Sequence, residues 1–174
     1  MSSAGNSRIL EDPKIDIPVS AMPVIIVRTQ WNPEIIDELE RGCVETLTSR
    51  GFDQIRILDV PGAVELPFAV NQSWNAFKYR DDKPGAFIVL GCVIKGDTPH
   101  FDYVCKMVAD GVTALNLSLP VPTIFGVLTV LNQDQAWERL GGIHGHKGSE
   151  AALTSISMMS LSQSLTPRRL NLID

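Results

Sequence analysis

Two kinds of hydrophobic pattern alternate along this chain. Val24 to Thr29 is a near-continuous apolar run rich in β-branched residues, and Ile55 to Val60, Ala86 to Leu90 and Thr123 to Thr129 read as three further strands. The Val24 run fits a strand covered on both faces better than a half-exposed one, which alternates polar and apolar. Between them the apolar period lengthens. Ile36, Leu39, Cys43 and Leu47 fall on one face of a helix that Asn32 caps, Pro33 opens and Gly51 ends. A Pro61-Gly62 turn leads to a second helix, from about Glu65 to Tyr79. A third spans His100 to Leu117, with Val104, Met107, Val108, Gly111 and Leu115 on its inner side. Asn132 to Leu140 reads as a short helix, Gly141 to Gly148 as a Gly-rich bend, and Ser149 to Ser164 as the last helix.

Strands that alternate with helices of this length form a parallel sheet with helices on both faces. The expected fold is a three-layer α/β/α sandwich around a four-stranded parallel sheet, flavodoxin-like in layout. Residues 1–22 are polar and hold Pro13 and Pro18, so they read as a flexible N-terminal arm; 23–165 form the α/β domain and 166–174 a C-terminal tail. One domain suits 174 residues of which 44% are hydrophobic.

A net charge of -5 and a pI near 5.2 speak against nucleic acid or an anionic membrane as partner, because both require a basic surface. No apolar stretch approaches the roughly 18 residues of a spanning helix, and the first 22 residues carry Glu11, Asp12 and Asp16 in place of a signal peptide's core. Cys43, Cys92 and Cys105 are odd in number and widely spaced, which implies neither a disulfide framework nor a zinc site. A cytoplasmic location is expected. His144 and His146 supply too few ligands for a closed metal site, so no metal is expected.

The chemistry concentrates after the strands, where parallel sheets bind ligands. Gly91 to Tyr103 leaves an apolar run, turns through Gly96 and Pro99, and places His100 at a helix start. Unpaired N–H groups at a helix N-terminus attract anions; Thr98 adds a hydroxyl and Lys95 a charge. His100 can exchange protons near neutrality. Taken alone, a histidine at a helix start is more often a cap, and Arg139 beside Glu138 more often a solvated ion pair. Trp31 alone could equally be core.

Together these segments resemble the 6,7-dimethyl-8-ribityllumazine synthase family of riboflavin biosynthesis. The likeness covers roughly Pro23 to Leu161 and rests on Trp31-Asn32, Val60 to Pro67, Gly91 to Tyr103, Phe125 to Thr129, and Glu138-Arg139 followed by Gly145-x-Lys147-Gly148. The resemblance implies condensation of 5-amino-6-ribitylaminouracil with 3,4-dihydroxy-2-butanone 4-phosphate, releasing phosphate and water, with no cofactor. It implies that Trp31 stacks on the pyrimidine beside Asn32, that Ala63, Val64 and Glu65 meet the ribityl chain, and that Val93 and Ile94 hold the ring edge, with Lys95 following. Gly96, Asp97, Thr98 and Arg139 would hold the phosphate, and His100 would move protons.

Phe125, Arg139 and Lys147 come from an adjacent subunit in the family, which implies a homopentamer or a closed shell of 60 subunits. Riboflavin is a further candidate ligand for the same site. The chain departs from the commonest pattern at Trp31 for Phe, Lys95 for Arg, and His146 for Asn. The rival is a non-catalytic flavin-binding or storage shell, against which the retention of His100, Arg139 and Lys147 argues. A signalling receiver domain of similar layout fails because no Asp-Asp pair flanks the first strand.

Overall fold

The structure, a computed structural model, describes residues 22–165; the expected arm before Met22 and the expected tail at 166–174 lie outside them. The chain runs β1 (Val24–Thr29), α1 (Pro33–Ser49), β2 (Ile55–Val60), a 3-10 turn (Ala63–Glu65), α2 (Leu66–Phe77), β3 (Ala86–Ile94) and α3 (His100–Ser118). There follow β4 (Thr123–Val130), α4 (Gln133–Trp137), β5 (Leu140–Gly142), β6 (Gly145–His146) and α5 (Lys147–Leu165). The main sheet has the order β2-β1-β3-β4 with every pairing parallel.

Strand alternation sorts the core into two layers. Val24 and Ile26 pack with Ile36, Leu39 and Ile156 on the α1/α5 side. Ile25 and Val27 pack with Val70, Val108 and Val112 on the α2/α3 side. Fully burying one such aliphatic side chain contributes about 1.5 to 3 kcal/mol, so the inner strands carry much of the stability. This is the expected three-layer sandwich. Because the order reverses between β1 and β3, their carboxyl ends diverge into a crevice, the usual binding place of such sheets.

Several local expectations change. β2 is an outer strand, and Ile57 and Leu58 are 41% and 37% exposed. β3 continues through Ile94, since Gly91 sits opposite Val127, where a Cβ would come within 3.3 Å of Val127 Cγ1. A 3-10 turn precedes α2, which ends at Phe77, and Tyr79 is exposed. On α3 the inward stripe is Val104, Val108, Val112 and Leu115; Met107 turns outward and is 55% exposed. Gly111 does face inward, at a close crossing where a Cβ would lie 2.5 Å from Pro67 Cγ on α2.

The Gly-rich bend is an antiparallel hairpin. Leu140 pairs with His146 and Gly142 with Gly145, while Gly141 and Gly145 take φ of 107° and 71°, which glycine adopts without strain. The last helix therefore begins at Lys147, before the expected Ser149. Its first turn presses on α1: a Cβ at Gly148 would stand 2.0 Å from the Leu39 carbonyl oxygen.

Candidate active site

Four chain segments close a cavity of about 500 Å³ at the carboxyl end of the sheet. That size suits a small-molecule ligand, for which pockets run from about 300 to 1,000 Å³. The loop after β1 brings Trp31 and Asn32, and the 3-10 turn brings Ala63, Val64 and Glu65. The end of β3 contributes Val93 and Ile94, and the first turn of α3 contributes His100. These expected site residues thus meet around one space.

Asn32 sets the spacing of two walls, though not as a conventional cap. Its backbone is left-handed, with φ 56° and ψ 59°, and it is the one non-glycine residue of positive φ among the described residues. Asparagine tolerates that region better than most residues. Its carbonyl accepts from the Ile35 and Ile36 amides at 3.0 and 3.1 Å, which starts α1. Its side chain is turned elsewhere: Nδ2 donates to the Cys92 carbonyl at 3.1 Å. The loop carrying Trp31 is therefore tied to the strand end carrying Val93 and Ile94.

Trp31 is 70% exposed, so it is not part of this chain's core. A Cβ on Gly62 would lie 3.6 Å from its Cδ1, which places the indole against the turn between β2 and Ala63. Burial pushes the Cys92 thiol at the cavity wall up to about 11, so it stays protonated near neutrality.

Lys95, Gly96, Asp97 and Thr98 form the exposed bend that joins Ile94 to His100. The Lys95 amide donates to the Val130 carbonyl at 2.9 Å, the last rung of the β3–β4 ladder, beyond which the bend leaves the sheet. A Cβ on Gly96 would have open space around it.

Phe125, Arg139 and Lys147 do not join this cavity within one chain. Phe125 lies on the outer strand β4, beside a second groove of about 670 Å³ that includes Pro122 and Met158. The hairpin brings Arg139 and Lys147 to each other: the Lys147 amide donates to the Arg139 carbonyl at 2.9 Å. The Arg139 guanidinium donates through Nη1 to the Gln135 carbonyl at 2.7 Å and stands 4.0 Å from Glu138, so the expected Glu138 pair is the weaker contact. Lys147 Nζ donates to both oxygens of the buried Glu150 carboxylate at 2.7 and 2.8 Å.

His146, next to Lys147, is built into the framework. Its Nδ1 accepts from the Ser149 amide at 3.3 Å, as an N-cap side chain does for the third helical residue, and its Nε2 faces Glu38 Oε1 at 3.4 Å. Arg41 holds the Glu38 carboxyl below its ordinary range.

Four residues that line the cavity, Thr29, Gly62, Cys92 and Val104, are not among the expected site residues. Thr29 lines the cavity, and its Oγ1 has no hydrogen-bond partner among the described residues. Strand parity with Ile25 and Val27 was the available signal, since it sets Thr29 on the α2/α3 side.

Comparison with known proteins bears on the family. Residues 21–163 match the family model of 6,7-dimethyl-8-ribityllumazine synthase. Proteins so named from Cytophaga hutchinsonii and Porphyromonas gingivalis are 45% and 44% identical over 137 and 138 residues, each alignment covering 78% of this chain and 83% of the relative. One from Bacteroides fragilis is 44% identical over 142 residues, covering 80% of this chain and 96% of the relative. With the family match spanning most of the chain, and the matched segments building one cavity at the sheet's switch point, this chain belongs to the 6,7-dimethyl-8-ribityllumazine synthase family.

Proposed function

We propose that this chain performs the family's reaction at a site completed by a second copy of itself. As a family member it is an enzyme of riboflavin biosynthesis that forms 6,7-dimethyl-8-ribityllumazine. In our reading the cavity holds 5-amino-6-ribitylaminouracil, with the pyrimidine on Trp31, the ribityl chain along Ala63, Val64 and Glu65, and the ring edge against the Val93 and Ile94 backbone. The butanone phosphate enters beside it, its phosphate on the Gly96 to Thr98 bend.

The substrate amine attacks the ketone of the second substrate, water leaves to give a Schiff base, phosphate is eliminated, and ring closure releases a second water. His100, at the cavity rim, moves protons in these steps. The bend and the first turn of α3 carry Asp97 and Asp102 against a single cation, Lys95, so they alone are a poor match for a dianion. A cation from outside this cavity fits that need.

The observation that carries the two-copy reading is the separation of the charges. Arg139 and Lys147 lie side by side on the hairpin, yet neither lines the cavity that holds His100. Phe125, on an outer strand, is likewise apart from it. A neighbouring subunit that presented its Phe125, Arg139 and Lys147 would complete the site, and a ring of five, alone or in a 60-subunit shell, repeats that contact. The exposed Ile57 and Leu58 on β2 and the groove beside β4 offer apolar surface for such contacts. Free Cys43, Cys92 and Cys105 suit a reducing, cytoplasmic setting, and among the described residues no helix is long and apolar enough to cross a membrane.

The test combines purified protein with both substrates and follows lumazine absorbance and fluorescence, with light scattering on the same sample. Product from a pentamer or larger assembly is expected. An active monomer would refute the shared site, and an assembled but inactive protein would favour a flavin-binding shell.

A further inference from the structure

Thr29 ends β1, two residues before Trp31, and lines the same cavity. It is 3% exposed, and its hydroxyl has no hydrogen-bond partner among the described residues. The other strand residues on that face, Ile25 and Val27, are packed with α2 and α3 and are apolar. A hydroxyl without a partner at a buried position is disfavoured against a methyl group of similar volume. Its neighbours explain why it has room to act. Thr29 is level with Val60 on β2, from which the chain passes to Ala63 to Glu65. On its other side is β3, where Gly91, one step beyond the Arg28–Leu90 pair, presents no side chain.

We propose that Thr29 is a binding residue for the aminouracil substrate: its hydroxyl forms a hydrogen bond with a polar atom of that ligand from the sheet side. This rests on the reading that the cavity holds the aminouracil. A hydroxyl can both donate and accept, which suits a ligand whose ring carbonyls, ring N–H groups and ribityl hydroxyls present both kinds of partner. The butanone phosphate, assigned to the exposed Gly96 to Thr98 bend, is not a partner of Thr29.

Thr29→Val and Thr29→Ser separate a binding role from a structural one. Thr29→Val should raise KM for the aminouracil roughly three- to ten-fold, the loss of one neutral hydrogen bond, with KM for the butanone phosphate and kcat within about two-fold of the parent. Its melting temperature should equal or exceed the parent's, because a buried hydroxyl unpaired in the free protein has been replaced by a methyl. Thr29→Ser, which keeps the hydroxyl, should restore most of the KM. A lowered melting temperature with unchanged KM in Thr29→Val would overturn the proposal by showing an internal partner for the hydroxyl. Equal changes in both KM values would overturn it too, as would a Ser variant no better than Val. If the parent protein formed no lumazine, the reading of the reaction would fall and the proposal with it, an outcome distinct from unchanged constants in a working enzyme.

Discussion

The imidazole of His146 fills the space that a side chain at position 42 would need: a Cβ built on Gly42 lies 2.1 Å from His146 Cε1. The two residues therefore form a matched pair that joins α1 to the start of α5. Ser149 reinforces the join, because its Oγ donates to the Gly42 carbonyl at 3.1 Å while its amide donates to the ring. At a position where asparagine is commoner in the family, this chain caps α5 with a ring, and a glycine opposite makes room for it.

Gly42→Ala is accordingly predicted to be destabilising, although alanine is the better helix former by about 0.8 to 1.0 kcal/mol. Displacing the ring gives up the cap and strains the crossing, an effect of about 1 to 3 kcal/mol. Adding His146→Asn should recover part of it. The check is a double-mutant cycle in thermal or urea unfolding at one fixed protein concentration, with a coupling of at least about 0.5 kcal/mol expected. Additive effects would show that the ring and the glycine are independent.

A second prediction concerns the thiol at the cavity wall. Burial pushes Cys92 up to about 11, so at pH 8 its thiolate fraction should be about a hundredfold below that of an unburied cysteine. Raising pH towards 11 should increase its reactivity about tenfold per unit. The sign for stability is the reverse: a raised thiol pKa in the folded state means that the fold is favoured while the group stays protonated, and that stability declines as pH rises from about 9. Iodoacetamide at pH 8, with peptide mapping, should leave Cys92 unmodified and activity intact. Rapid alkylation with loss of activity would mean that an activated thiol takes part in the reaction.

The sheet was legible because its inner strands are almost wholly apolar and rich in β-branched residues. Val24 to Val27 have no polar face to offer solvent, and the structure gives them none. The exposure of Ile57 and Leu58 is not legible in that way. An apolar run reads alike whether this chain or another covers it, and within one chain β2 is an outer strand. The cavity residues were legible as loop motifs after strands, with Trp31, Ala63 to Glu65, Val93 and His100 brought together as the sheet's topology requires. The adjacency of Arg139 and Lys147 was not. It depends on a hairpin of glycines whose register is fixed by long-range contacts, Gly148 against the Leu39 carbonyl and the His146 ring against Gly42. Composition around Gly141 to Gly148 says only that the chain bends there.

Arg139 tests the division of labour between the two halves of the site. Its Nη1 is engaged by the Gln135 carbonyl, which fixes the side chain and leaves the rest of the guanidinium fork for a partner. A charge-assisted hydrogen bond contributes about 1.5 to 3 kcal/mol, so Arg139→Ala is predicted to lower kcat/KM for the butanone phosphate roughly ten- to a hundred-fold. Binding of the aminouracil, measured directly by calorimetry, should barely change. An equal loss for both ligands would argue for a general structural role. Mixing Arg139→Ala with a His100→Ala chain and refolding the two together should return activity above either alone, because some sites would then draw His100 and Arg139 from different, intact chains.

Trp31 bears on what else the cavity accepts. The indole is 70% exposed, with the glycine turn beside it, so it offers a ligand a wide open face. Riboflavin carries the same ribityl chain as the aminouracil on a longer planar ring system, and an indole overlaps such a system more fully than the phenyl ring commoner at this position. Aromatic stacking contributes about 0.5 to 1.5 kcal/mol beyond the area buried, which changes affinity about two- to ten-fold. We predict that riboflavin binds with micromolar affinity, about -8 kcal/mol, and that its fluorescence is quenched on the indole. Trp31→Ala should weaken binding by at least that two- to ten-fold factor while leaving the assembly intact, since a side chain this exposed adds little to the core. Trp31→Phe should fall between the two. Titrating riboflavin into the three proteins, with light scattering to confirm equal size, decides the matter: superimposable curves would remove Trp31 as the stacking platform, and competition by the aminouracil would locate the flavin in the same cavity.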